Sequence, residues 1–176
     1  MKIFAFAGSS SSTSINKELV NFTLKNFGDD EVNFIDLNDY AMPLFSVDQE
    51  KKGFPEEAHK FLKNIEEADV IICSLAEHNR SYSAAFKNTF DWCSRINVKV
   101  FQDKPMLLLS TSPGGYGGGN VMNEALKFFP QFNADIKAHF SLPKFYENFD
   151  LENGIINPEL LTEFNKTVDE FKNTLK

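Results

Sequence analysis

Three short segments hold most of the residues in this chain whose types and spacing suit chemistry. The first is Gly8 to Asn16, GSSSSTSIN. Gly8 permits a sharp turn. The hydroxyls of Ser9, Ser11 and Ser14, with Ile15 and Asn16 opening a helix, surround the free amides of a first helical turn. A helix carries about half a positive charge at that end, and the combination suits a phosphate group. The same residues also describe a flexible serine turn ending in an ordinary N-cap. The segment lacks the Gly-Lys-Ser/Thr of a P-loop and the G-x-G-x-x-G of a dinucleotide site.

The second segment, Ala76 to Ser81, reads AEHNRS and leads into YSAAFKNTFDW. Here Glu77, His78, Asn79, Arg80 and Ser81 end an apolar run. Backbone amides at such a place can meet the polar edge of a planar ring, with His78 or Arg80 against its face or an anionic part of it. An exposed loop histidine is the plainer reading of His78. Asn88 and Asp91 read as structural, and Phe90 and Trp92 as core.

The third segment, Thr111 to Asn120, reads TSPGGYGGGN and contains five of the nine glycines. So many glycines cost backbone entropy. Close approach of Ser112, Pro113, Gly114, Gly115, Gly117 and Gly118 to a flat ligand would justify that cost; a mobile loop is the alternative. Tyr116 is placed to stack on a ring or to touch a neighbouring subunit. No metal site is expected: His59, His78 and His139 have no ligand spacing with Cys, Asp or one another. Cys73 and Cys93 read as small buried residues.

The elements that must position these segments alternate along the chain. Residues 2–7 read as a buried strand, 15–27 as a helix, 31–37 as an outer strand, and a helix begins at Pro55. Residues 68–75 and 104–110 are continuous apolar runs of the kind found in central parallel strands. Helices are expected over 83–96, 120–129 and 159–175, with a weaker strand over 135–142. Five strands alternating with five helices predict parallel strands joined by right-handed crossovers, with helices on both faces. Ligands of such sheets bind beyond the carboxyl ends of the strands, where strand order reverses. All three segments follow strands.

Composition sets the class. The 176 residues are 42% hydrophobic and 24% charged, which fits one globular domain over 1–176. A net charge of −7 argues against nucleic acid and against a polybasic membrane patch. No run approaches the roughly 18–20 apolar residues of a membrane span. Lys2 followed by IFAFAG is too short for a signal sequence, so a cytoplasmic protein is expected.

Together the motifs resemble those of the NADPH-dependent FMN reductases, which include quinone, azo-dye and chromate reductases. Gly8, Ser9, Ser14 and Asn16 fit that family's G-S-x-R-x-x-S-x-N. Glu77, Asn79, Ser81, Lys87, Asn88, Asp91 and Trp92 fit its P-E-Y-N-x-S-x-P-x-x-L-K-N-x-x-D-W. Ser112 to Gly118 match its S-P-G-G-x-G-G turn. The resemblance implies a flavodoxin-like three-layer α/β/α sandwich with a five-stranded parallel sheet in the order 2-1-3-4-5. It implies FMN, its phosphate at Ser9, Ser14 and Asn16 and its ring between Glu77–Ser81 and Pro113–Gly118. It also implies NADPH or NADH as co-substrate, a small-molecule electron acceptor, and a homodimer or homotetramer. Bound FMN would take hydride from the nicotinamide and pass electrons to the acceptor, with no side chain acting as catalytic acid or base.

The chain departs from the pattern at named places. Ser11 stands where the family has its phosphate-binding arginine, so one charge-assisted contact is missing; either FMN binds more weakly, or Arg80 or a partner-subunit residue compensates. Ala76, His78 and Ser83 replace Pro, Tyr and Pro, and Arg80 replaces a small residue. These departures keep two other readings open: a flavodoxin-type electron carrier, and a flavin-free interaction module of the same fold.

Overall fold

The computed structural model describes residues 1–175. In chain order it contains β1 (Lys2–Gly8), α1 (Ile15–Leu24), β2 (Glu31–Ile35), α2 (Val47–Glu50), α3 (Glu56–Glu67), β3 (Val70–His78), β4 (Ser81–Tyr82), α4 (Ala84–Ile96), β5 (Pro105–Thr111), α5 (Gly119–Phe128), β6 (Asp135–Leu142), α6 (Phe145–Asn148), β7 (Phe149–Asp150), β8 (Gly154–Ile155) and α7 (Pro158–Asn173). Five long strands run parallel in the order β2-β1-β3-β5-β6.

The expected 2-1-3-4-5 order holds for those long strands and needs one correction. The sheet has a sixth strand, the two-residue β4, which pairs antiparallel with the end of β3, so that the order in chain numbering is 2-1-3-5-6. The expected polar loop after the third strand is therefore a hairpin. Glu77 faces Tyr82 and His78 faces Ser81, and Asn79 and Arg80 turn the chain at φ 51° and 69°. Positive φ at both central residues is the type I′ geometry that matches strand twist.

Alternation along β1 divides the core. Phe4 and Phe6 face one side of the sheet and pack with Phe61 of α3 and with Phe86, Phe90 and Trp92 of α4. Ile3 and Ala5 face the other, with Leu19 and Val20 of α1 and Phe164, Val168 and Phe171 of α7. This is the period of two expected of a strand buried on both faces. In α3 the buried Ala58, Phe61, Leu62 and Ile65 repeat at helical spacing. Among the described residues no helix is long and apolar enough to cross a membrane.

Caps fix where the helices near the strand ends begin. Ser14 Oγ accepts the Lys17 backbone N–H at 3.2 Å and starts α1. Ser83 Oγ accepts the Phe86 N–H at 3.1 Å and donates to the Gly8 carbonyl at 2.7 Å. The residue in place of the family's second proline thus ties the end of β1 to the start of α4. Within the K-N-x-x-D-W stretch, Asn88 and Trp92 are bonded to residues 42–45 of the scaffold. Asn88 accepts from the Phe45 N–H at 2.8 Å and donates to the carbonyls of Met42 and Pro43. Trp92, 1% exposed, donates to Pro43 at 2.7 Å, and Lys87 pairs with Asp91 at 2.7 Å.

Candidate functional site

The carboxyl ends of β1, β3 and β5 open on one cleft of about 320 Å³. The serine turn forms one wall with Ser9, Ser11, Ser14, Ile15 and Asn16. Glu77 and His78 at the end of β3 form the floor, and Pro113 lies opposite. Residues separated by about a hundred positions in the chain therefore meet, because adjacent parallel strands place their carboxyl ends side by side.

The serine turn is held by its own side chains. Ser9 Oγ accepts the Ser11 N–H at 3.2 Å, and Ser11 Oγ accepts the Thr13 N–H at 3.3 Å. The Ile15 and Asn16 amides, first in α1, have no acceptor within the helix. Asn16 is 3% exposed. Its Oδ1 accepts from Ser74 Oγ at 2.7 Å and from the Thr111 N–H at 3.1 Å, while its Nδ2 donates to the Thr111 carbonyl at 3.3 Å. One side chain thus locks α1, β3 and β5 together directly beneath the cleft. Its amide group is committed to the scaffold, and its backbone N–H remains to face a ligand.

Glu77 lines the cleft but directs its carboxylate at α5. Oε2 accepts the Val121 backbone N–H at 2.9 Å and Oε1 accepts Asn120 Nδ2 at 3.1 Å. The α5 N-terminus follows Gly118 in the left-handed region and has no side-chain cap of its own. The carboxylate supplies that cap and meets the positive end of the helix dipole. Ser81 Oγ donates to Glu124 Oε2 at 2.9 Å, a second tie between hairpin and α5. Asn79, Arg80 and Ser81 sit at the hairpin tip and are not among the residues lining the cleft.

Of the glycine-rich segment, Thr111 and Pro113 line the cleft; Ser112, Gly114, Gly115, Tyr116, Gly117 and Gly118 do not. Packing within the protein explains part of the glycine content. A Cβ on Gly117, at φ +60°, would lie 2.7–2.8 Å from the backbone of Leu142 and Pro143. A Cβ on Gly119 would strike the Tyr116 ring at 2.6–2.8 Å. Tyr116 lies over the start of α5, and its hydroxyl accepts from Asn123 at 2.9 Å. A Cβ on Gly115 would meet nothing within 4 Å.

Thr13, Ala76 and Thr111, which lie within the three segments, also line the cleft, and so does Tyr146, which lies outside them and which sequence reasoning did not single out. Tyr146 lies on α6 and is 73% exposed. The strap that carries it is fastened to the glycine-rich turn: the Lys144 N–H donates to the Gly114 carbonyl at 2.9 Å, and the Phe145 N–H to Ser112 at 3.1 Å. The available signal was position. Residues 143–148 follow a strand on the same carboxyl edge as the other three segments.

The site's ingredients fit a phosphorylated planar cofactor: hydroxyls and helix amides at one end, a tyrosine, a histidine and a proline around the rest. Comparison with known proteins agrees. The NADPH-dependent FMN reductase profile matches residues 1–147. An NADPH:quinone oxidoreductase of Arabidopsis thaliana is 31% identical over 166 residues, covering 89% of this chain and 83% of that protein. A 2-hydroxy-1,4-benzoquinone reductase of a Burkholderia species is 33% identical over 118 residues, 66% of this chain and 63% of that one. In fold, the chain matches the flavoenzyme NAD(P)H:(acceptor) oxidoreductase FerB of Paracoccus denitrificans with a TM-score of 0.77 at 22% identity, over 99% and 96% of the two chains. Motifs, cleft and profile converge: the chain belongs to the NADPH-dependent FMN reductase family, the NAD(P)H-driven oxidoreductases that work through FMN.

Proposed function

We propose that the cleft binds FMN and that the chain uses it to reduce a quinone or a free flavin at the expense of NADPH or NADH. The convergence of three strand-end segments on one cleft is the observation that carries this reading. The phosphate would lie against Ser9, Ser11 and Ser14 and the amides of Ile15 and Asn16. The ring would lie between the 77–81 hairpin and the 113–118 turn, with Tyr146 on the open side. Bound FMN supplies the chemistry, accepting hydride from the nicotinamide and giving two electrons to the acceptor. The protein's residues bind and orient; Glu77 and Asn16 act through the scaffold, by holding the turn and the helix start in place. The quinone reductases among the relatives support the choice of acceptor.

A homodimer or homotetramer is part of the same proposal. Leu44 and Phe54 are 80% and 42% exposed on the segment whose Phe45 and Phe54 rings pack on Trp92, and a contact between subunits there would cover both apolar side chains. Light scattering of the purified protein measures the assembly; a monomeric mass would remove this part. The cytoplasm, one compartment that supplies NAD(P)H, is the location that goes with this proposal. The test of the activity is NADPH or NADH oxidation by FMN-loaded protein with a benzoquinone acceptor. Oxidation that requires protein, FMN and quinone together is expected. No oxidation with a quinone or a free flavin would overturn the proposal.

A further inference from the structure

Ser11 leaves the phosphate end of the site without the arginine of the family pattern, and the cleft-lining residues at that end are neutral. A cation lies just behind them. A small hollow backs onto the serine turn and shares Ser9, Ser11 and Ser14 with the main cleft; its other lining includes Lys17 and Asp36. Lys17 is in the first turn of α1, three residues after the cap. Its Nζ contacts Asp36 Oδ2 at 2.7 Å, and the side chains are 37% and 27% exposed. Arg80, the other candidate, is at the hairpin tip and lines neither space.

The two partners differ in freedom. Asp36 is fixed: its Oδ1 accepts the Asn38 backbone N–H at 2.9 Å and Asn38 Nδ2 at 2.8 Å, which caps the short 3-10 turn Leu37–Tyr40. Among the described residues Asp36 is the one hydrogen-bond partner of Lys17 Nζ, and a lysine stem rotates readily. A phosphate carries more negative charge than one carboxylate and offers three acceptor oxygens.

We infer that Lys17 is the cation of the phosphate end, standing in for the missing arginine, and that Asp36 competes with the ligand for it. The inference rests on the reading of the cleft as the FMN site. It makes opposite predictions for the two members of one ion pair, which a purely structural pair would not. Removing Lys17 weakens binding of a phosphorylated flavin. Removing the charge of Asp36 strengthens it, because Lys17 is released and a nearby negative charge is lost.

The experiment titrates FMN and riboflavin, which lacks the phosphate, into wild type, Lys17→Met, Asp36→Asn and the double variant Lys17→Met with Ser11→Arg. Quenching of flavin fluorescence is the readout, at two salt concentrations. Asparagine is as good a cap as aspartate, so Asp36→Asn keeps the 3-10 turn, and riboflavin binding reports that each variant is folded. Loss of a charge-assisted bond predicts FMN binding about tenfold weaker in Lys17→Met, with riboflavin unchanged. Asp36→Asn is expected to bind FMN several-fold more tightly, and Ser11→Arg to restore what Lys17→Met loses. The salt dependence should be shallower in Lys17→Met than in wild type. Equal loss of FMN and riboflavin binding, or unchanged FMN binding in Lys17→Met, would overturn the inference while leaving the cleft assignment standing. Wild type that bound neither flavin would overturn both.

Discussion

Glu77 Oε2 accepts the backbone N–H of Val121 at 2.9 Å, so the penultimate residue of β3, at the cleft, caps the helix that follows the glycine-rich turn. Two of the three site segments are thereby one mechanical unit. Glu77→Ala should cost about 1–2 kcal/mol, the usual loss for a helix cap, measured by urea denaturation. Glu77→Gln, which keeps an acceptor but not the charge, should lose less. Equal stability of Glu77→Ala and wild type would show that the cap is not needed.

Asn16 satisfies Ser74, Thr111 N–H and Thr111 carbonyl at once. Asn16→Ala leaves buried polar groups without partners, each costing about 1–3 kcal/mol. A fall in thermal midpoint of several degrees, with flavin binding lost alongside it, is the expected outcome. A variant as stable as wild type that nonetheless failed to bind FMN would make Asn16 a direct ligand rather than a scaffold residue.

The glycines of the turn separate by the same logic. Gly117→Ala places a methyl against the Leu142 backbone in a left-handed conformation and should cost about 2 kcal/mol or more. Gly115→Ala meets nothing and should stay within about 0.5 kcal/mol of wild type. Paired denaturation curves check both. If Gly115→Ala leaves stability unchanged but weakens FMN binding, the backbone there lies close to the ligand.

Much of this was legible in the sequence. Apolar runs gave the long strands, and loops at their carboxyl ends gave the cleft. The hairpin at Asn79–Arg80 was not legible, because its type I′ signal is usually Asn-Gly and here arginine holds the glycine position. Tyr146 was hidden for a different reason. Nothing in its local pattern marks it, and only the hydrogen bonds from 144 and 145 to the glycine-rich turn bring it to the cleft. Several motif residues proved to face inward: Asn88 and Trp92 pin residues 42–45, and Glu77 points to α5. A motif records which residues are required, and supporting a site requires as many as touching the ligand.

Burial decides the behaviour of the thiols. Cys73 and Cys93 are free. Burial raises the Cys73 thiol well above its ordinary value and pushes Cys93 up to about 12. At pH 8 neither is a thiolate, so a thiol-exchange reagent should label neither in the folded protein and both after denaturation. Rapid labelling of the native protein would contradict the buried placement.

The Lys17 ammonium, and then the Asn38 N–H, hold the Asp36 carboxyl below its ordinary 3.8. A carboxyl depressed by folding adds stability above its unfolded value, and that stability is lost as pH falls through the folded value. Thermal midpoints of wild type and Asp36→Asn should therefore differ least under strongly acidic conditions and more at neutral pH. A difference that grew as pH fell below 3.8 would carry the wrong sign.

The most direct test of the cleft as a flavin site is the visible spectrum after FMN loading and desalting. Oxidised flavin retained with the protein, absorbing near about 450 nm and bleached by NADPH without air, is the predicted result. Protein that emerged colourless, and that quenched no FMN fluorescence in titration, would contradict the central claim.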